Sequence, residues 1–213
     1  MLYALNELGE KIKPTKDVAA YCPCCNNLVR KAMGDIIVHH WKHTTEVKCN
    51  SKPMTRWHIE WQLNFPKENV EIYVNKQRRA DVLTDDDMAI EFQHSSISIS
   101  EVEKRSKLCN GNIIWVHDYQ KQYNNNQFKN ITKDNKISNL YRSEWLNPCK
   151  IFDRDRTQDK GIYIQFTDDT LGKLCWIDYG KDDSKTIISF YKVNKTELVN
   201  YINSKCKKHG TSL

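Results

Sequence analysis

Arg79-Ala80-Asp81-Val82-Leu83, an acidic turn, and Ala89-Ile90-Glu91-Phe92-Gln93 are the stretch on which the reading of this chain turns. Side chains of a strand alternate between faces, so residues two apart share one. Ala89, Glu91 and Gln93 then point one way, and Ile90 and Phe92 the other. The pattern predicts a β-hairpin with its apolar pair in a core and Asp81 and Glu91 meeting on one side. Asp85-Asp86-Asp87 between them is turn chemistry. Two converging carboxylates supply the hard oxygen ligands that Mg²⁺ or Mn²⁺ needs to activate water beside a phosphate.

Outward from the hairpin, the segments on either side take a definite order. Upstream, Met54-Thr55-Arg56-Trp57-His58-Ile59-Glu60-Trp61-Gln62-Leu63-Asn64-Phe65-Pro66 reads as a helix, with Thr55 as N-cap and Pro66 as stop. Met54, Trp57, Trp61 and Phe65 form one apolar face, which is core packing. His58 and Gln62 lie one turn apart on an adjacent face and could look toward a metal site. A strand is expected over Val70–Asn75. Downstream, Ser98-Ile99-Ser100-Glu101 has the form of a capping box opening a helix to about Cys109, closed by Asn110-Gly111. Ile113-Ile114-Trp115-Val116-His117 is a nearly continuous apolar run, as in a buried central strand. The order is helix, three strands, helix, strand.

The chain has 8 cysteines. Cys109 and Cys175 read as small buried hydrophobes, and Cys149 and Cys206 are scattered. The other four cluster near the N-terminus. Cys22 and Cys25 make a Cys-x-x-Cys knuckle, His40 and His43 a His-x-x-His pair, and Cys49 follows. Zinc takes four soft or borderline ligands in a closed tetrahedron. Cys22 and Cys25 are the strongest candidates, and two more come from His40, His43 and Cys49. Spacing does not choose among those three, and Cys24 could replace Cys25. Such a Zn²⁺ would be structural, folding a segment too small to hold itself together.

Gln120 to Lys136 is rich in Asn and Lys and reads as an exposed loop. Three antiparallel strands are expected over 161–166, 174–179 and 186–191. Thr167-Asp168-Asp169 and Gly180-Lys181-Asp182-Asp183 are their turns, and a helix follows from Lys195 to Lys205. No catalytic motif lies in this third, which could contact a protein partner or the substrate. The expected organisation is a zinc-finger-like segment over 1–51, a core over 52–120 and antiparallel strands with a terminal helix over 121–213.

At 213 residues with a net charge of +6 and a pI near 8.8, the chain can bury a sound core and is mildly basic. That charge is compatible with nucleic acid without the composition of a histone. No apolar run is long enough to span a membrane, and the N-terminal residues lack the pattern of a secretory signal. The expected location is the cytoplasm. Lys, Asn and Ile are abundant, which hints at an AT-rich genome.

Cys22-x-x-Cys25, His40-x-x-His43, Trp57-His58, Arg79-Ala80-Asp81-Val82, Ile90-Glu91-Phe92-Gln93-x-Ser95 and Ile113-Ile114-Trp115-Val116 together resemble the competence protein CoiA-like family of the PD-(D/E)XK nuclease superfamily. The resemblance covers about residues 20–118. It implies an α+β fold with a restriction-endonuclease-like α/β core, an N-terminal zinc-finger-like segment and a small C-terminal β-rich appendage. It also implies that Asp81 and Glu91 are ligands of Mg²⁺ or Mn²⁺, and that Gln93 stands where the superfamily commonly has lysine. His58 resembles the family's helix histidine. The superfamily often supplies a glutamate from the first core helix, but none occurs over Met54–Trp57, where Arg56 holds one such place. Glu60, on that helix but off the pattern, and Glu71, on the first strand, are the candidates to substitute for it.

The expected activity is metal-dependent hydrolysis of nucleic-acid phosphodiesters, DNA in preference to RNA, in DNA processing or in mobile-element or phage conflict. Asp81 and Glu91 hold the metal, Gln93 positions the water and His58 carries a proton or orients a group. Arg78, Arg79, Lys104 and Arg105 are candidates to grip the phosphate backbone. The missing helix glutamate and Gln93 support an alternative, a zinc-containing nucleic-acid- or partner-binding protein on a nuclease fold that does not cut.

Overall fold

The computed structural model of the chain describes residues 1–15, 18–34, 38–44, 49, 54–74, 78–148, 161–180 and 185–206. Cys149, Asn75 and the turn residues 181–183 lie outside the described residues. The architecture is mixed α+β, mostly sheet with few helices. Five short strands come first: β1 (Ala4–Leu5), β2 (Lys11–Ile12), β3 (Ala20–Tyr21), β4 (Leu28–Ala32) and β5 (His40–His43). They pair antiparallel in the order β2-β1-β3-β4-β5. Ala4, Ala20, Cys22, Val29 and Trp41 form the small core of this sheet.

Next come α1 (Arg56–Gln62), β6 (Val70–Val74), β7 (Arg78–Leu83), β8 (Ala89–Gln93), α2 (Ile99–Leu108) and β9 (Ile113–Asp118), the order read from the sequence. β6, β7 and β8 are antiparallel neighbours, and β9 lies parallel to β8 after the crossover through α2. The alternation in β8 holds. Ile90 and Phe92 join Ile59, Trp61, Phe65 and Val82 on one side, while Ala89 packs with Val102, Ile113 and Trp115 on the other. Both faces are therefore buried, and β9 is enclosed along nearly its whole length.

The rest of the chain is α3 (Gln120–Asn124), β10 (Phe128–Lys133), β11 (Leu140–Trp145), β12 (Ile162–Gln165), β13 (Thr170–Tyr179), β14 (Thr186–Asn194) and α4 (Lys195–Asn203). The expected antiparallel strands are present as β12, β13 and β14. They continue the core sheet, because β12 lies parallel to β9. The sheet runs β10-β11-β14-β13-β12-β9-β8-β7-β6, so the boundary expected at residue 120 falls inside one continuous sheet. α4 buries Leu198, Val199 and Ile202 in the same core as α1.

Three local expectations are corrected. The stretch from Gln120 to Lys136 is not a loop but carries α3 and the whole of β10. One buried aromatic, Phe128, fixes it by stacking on Trp145 with ring centroids 5.2 Å apart. Ser98 does cap α2, its hydroxyl accepting the Glu101 N–H at 3.2 Å. Glu101 does not reach back, because its carboxylate accepts from Arg105 Nε at 2.8 Å instead. The reciprocal capping box is on α4, between Asn194 and Glu197. Cys109 is buried, but Cys175 is only half-buried, its thiol donating to the Ser189 carbonyl at 3.1 Å.

Left-handed backbone occurs at Asn26, Asn110, Asn126, Asn130, Asn139 and Asn147, with φ from 51° to 62°. Asparagine tolerates this region better than other residues with a β-carbon. Glu71 shares it at φ 55° while buried in β6.

Candidate active site and metal centre

The registered pairing of β7 with β8 covers only Val82↔Ile90 and Leu83↔Ala89. Beyond it, Asp81 Oδ2 accepts the Phe92 N–H at 2.8 Å, so a side chain does what a backbone carbonyl would do in a continued ladder. Asp81 Oδ1 faces α1, 2.9 Å from His58 Nε2. Thr55 caps that helix by accepting the His58 N–H at 3.3 Å. Trp57 and Trp61 pin it to the sheet, both indole N–H groups donating to Gln165 Oε1 at 2.8 Å. Gln62, the last residue of α1, is wholly buried beside the pair, its amide nitrogen 3.5 Å from Asp81 Oδ1.

Glu91 lies next to Asp81 and is only 2% exposed. Its Oε2 accepts from Arg78 Nη2 at 2.7 Å and from Arg105 Nη1 at 3.1 Å. Its Oε1 is buried with no hydrogen-bond partner. Arg105 also lies over the Trp115 ring, 5.7 Å from its centroid. Burial, and next the Asp81 charge, push the Glu91 carboxyl up to about 7, against the two arginines. Asp81 moves the other way. Burial opposes its charge, but the His58 charge and hydrogen bond, the Phe92 N–H and Arg78 hold it below the usual carboxylate range. Burial likewise opposes the His58 imidazolium, yet Asp81 foremost, then Glu91 and Glu71, raise His58 above an ordinary histidine. Asp81, Glu91 and His58 are thus one electrostatic unit.

Gln93 shares the Glu91 face, and its amide donates to the Ser95 carbonyl at 2.6 Å. Arg79 pairs with Glu71, Nη2 to Oε1 at 3.4 Å, and Glu71 Oε2 accepts the Tyr3 N–H at 3.0 Å. Glu60 pairs at the surface with Arg56 at 2.6 Å. Of the four basic residues singled out above, Lys104 is exposed on α2, whereas Arg78, Arg79 and Arg105 are engaged with Glu91 or Glu71. The arginine clamp on Glu91 carries no sequence signal, since it joins β7, β8 and α2. Nor does Gln165, which is distant in sequence. His117, opposite Gln93 in register, is buried, and burial drives it down to about 3.

The second centre lies in the N-terminal sheet. Cys22, Cys25, His43 and Cys49 place their ligand atoms within 4.8 Å of one another. Cys22 and Cys49 sulfurs are 3.8 Å apart, the edge of about 3.8 Å that a tetrahedron with ~2.3 Å Zn–S bonds requires. Cys25 Sγ is 3.3 Å from His43 Nε2. The knuckle turn is closed by the Cys24 N–H donating to Cys22 Sγ at 3.4 Å and by Asn26 in the left-handed region. Burial opposes ionisation of Cys25, but the Asn27 backbone and side chain, then His43 and Cys22, bring it down to about 6. A low thiol pKa is what a zinc ligand needs. This group can bind zinc. His40 is not in it, since three residues along a strand reverse the face. Its Nδ1 lies 2.8 Å from the Val38 carbonyl instead. Cys24 is exposed and also outside the group.

Among the described residues this is the one cluster of three or more Cys, His, Asp or Glu that could hold a metal. The carboxylate site offers two acids, hard oxygens and one bare buried carboxylate oxygen, a donor set that fits Mg²⁺ or Mn²⁺. No helix among the described residues is long and apolar enough to cross a membrane. No curated protein and no solved structure matches the chain. The family model of the competence protein CoiA nuclease-like domain does match, over residues 52–165. That span takes in Asp81, Glu91 and His58 and more than half of the chain, which belongs to this family.

Proposed function

We propose that the chain is a metal-dependent nuclease, that α1 to β9 is its PD-(D/E)XK core, and that DNA is the favoured substrate. The observation that carries this reading is Asp81 at the point where β7 and β8 part, coupled to buried Glu91 on the next strand. Asp81 and Glu91 would hold Mg²⁺ or Mn²⁺, which when bound lowers the pKa of a water and offsets charge building on the phosphate. His58 is set to move a proton, since Asp81 orients its Nε2 and raises its pKa. Gln93 reaches the same face as Glu91 and can orient water through its amide. The positive charge that glutamine lacks is supplied beside Glu91 by Arg78 and Arg105. Lys104, exposed on α2, would hold the phosphate backbone by charge, with Arg78, Arg79 and Arg105 adding to the positive field behind it. Cys22, Cys25, His43 and Cys49 would hold a structural Zn²⁺. The description of the family as a competence protein supports DNA over RNA.

One observation favours a second reading, in which the chain binds nucleic acid or a partner without cutting. Glu91 Oε2 is already clamped by two arginines, and the Gln93 amide is bound to the Ser95 carbonyl. A cleavage assay separates the two. Labelled single- and double-stranded DNA and RNA are incubated with wild type, Asp81→Ala and Glu91→Ala, in Mg²⁺, Mn²⁺ or EDTA. The nuclease reading expects divalent-dependent cutting that either substitution lowers by at least about 10²-fold. Binding that persists in EDTA, with no cutting under any ion, establishes the second reading.

A further inference from the structure

Gln62 has an unexplained oxygen. The residue closes α1 one turn beyond His58 and is wholly buried. Its amide nitrogen lies 3.4 Å from His58 Nε2 and 3.5 Å from Asp81 Oδ1, at the outer limit of hydrogen bonding. Its Oε1 has no partner at all. Glu91 Oε1 is in the same condition. Two acceptor oxygens, one on α1 and one on β8, are thus left without a donor on residues that flank Asp81. Protein interiors leave few such groups, and each one asks what satisfies it. A buried water has only two protons to give, whereas a small hard cation takes the Asp81 oxygen together with both of these. A half-turn of the amide exchanges its two ends, so Oε1 can occupy the position 3.5 Å from Asp81 Oδ1.

We infer that the Gln62 side-chain oxygen is a third protein donor to the divalent cation, beside Asp81 and Glu91. This rests on the nuclease reading above and deepens it. The donor is neutral, as suits its place. A third carboxylate would add its charge to two acids that already repel each other, one of them enclosed on every side. An amide completes the oxygen set without that repulsion. Glu60, the one acid of α1, is turned to the surface and paired with Arg56.

The test is Mn²⁺ binding to the full chain without nucleic acid, read from the free-ion paramagnetic resonance signal. Thermal unfolding with and without Mn²⁺ accompanies it, with zinc retained throughout. Wild type, Gln62→Leu, Gln62→Glu and Asp81→Asn are compared. Expected are wild-type binding, a loss of at least about 10-fold in Gln62→Leu, the loss that removing even an outer-shell partner brings, and tighter binding in Gln62→Glu. Gln62→Leu is also expected to melt no lower than wild type before Mn²⁺ is added, because it removes an unsatisfied buried oxygen. A glutamine with a purely structural role would lower that melting temperature and leave Mn²⁺ affinity alone. Wild-type affinity in Gln62→Leu, together with loss in Asp81→Asn, overturns the inference and leaves the cation site standing. No binding by wild type overturns both. If Gln62→Leu does not fold, Gln62→Glu decides: tighter binding supports the donor role, and unchanged binding overturns it.

Discussion

Asp81 has three tasks that its neighbours make compatible. It accepts the Phe92 N–H where strand pairing ends, orients His58, and sets the charge against which Glu91 titrates. The pH dependence of stability follows from these couplings. Glu91 and His58 both bind their proton more tightly folded than unfolded, so stability falls as pH rises through their raised values. Glu91 acts from the ordinary carboxylate range up to about 7. His58 contributes fully below the ordinary histidine value of about 6.5 and loses its contribution as pH passes its raised one. Asp81 has the opposite sign, its contribution vanishing only as pH falls through its depressed value. Urea midpoints measured across pH should show Glu91→Gln flattening the lower part of the decline and His58→Gln the upper part. The Glu91 share should be a few kcal/mol at about 1.4 kcal/mol per pKa unit. An unchanged profile in both variants would remove the coupling described here. At this scale the placing of the two acids on neighbouring strands was legible, because strand phase is written in alternate residues. Their arginine partners were not, because the clamp is made by three separate elements.

At the scale of elements, legibility followed the number of residues that repeat a pattern. β8 and β9 alternate or run apolar over their whole length and were readable. β10 turns only Phe128 inward, so a strand held by one aromatic and by its neighbour β11 looks like a loop. The candidate zinc ligands show the same dependence. His-x-x-His invites pairing when read as a motif, but on β5 the two imidazoles lie on opposite faces, and only His43 meets Cys22, Cys25 and Cys49. Metal analysis of purified variants should find zinc retained in His40→Ala and lost in His43→Ala. The loss should also release the N-terminal sheet, since structural zinc contributes on the order of 10 kcal/mol to small domains of this kind. Zinc lost equally from both variants would return His40 to the ligand set.

For the molecule as a whole, the C-terminal third is a mechanical part of the site. Gln165 on β12 receives both indole N–H groups of α1, while its own amide nitrogen donates to the Thr167 and Asp168 carbonyls. The helix that carries His58 and Gln62 is therefore seated by a residue more than 100 positions away. Gln165→Leu should cost about 1–3 kcal/mol for each stranded indole N–H, read from urea unfolding followed by tryptophan fluorescence. Stability equal to wild type would mean that α1 is held by its apolar face alone. The strands of this third were foreseeable from their composition, but their attachment was not. Parallel pairing of β12 with β9 joins segments with no local signal for each other.

The left-handed asparagines carry a consequence of another kind. Glycine is the usual choice for such turns, yet the chain contains only 7 glycines, and asparagine takes this hand at five turns and at the register shift inside β10. Glycine codons are rich in G and C, and asparagine codons in A and T. A genome drifting toward A and T can shed glycines from these positions and keep the turns, since asparagine is the replacement that both the codon table and the backbone accept. Asparagine at these positions is thus the choice that a bias toward A and T and the left-handed backbone favour alike, away from the strands that carry the candidate site.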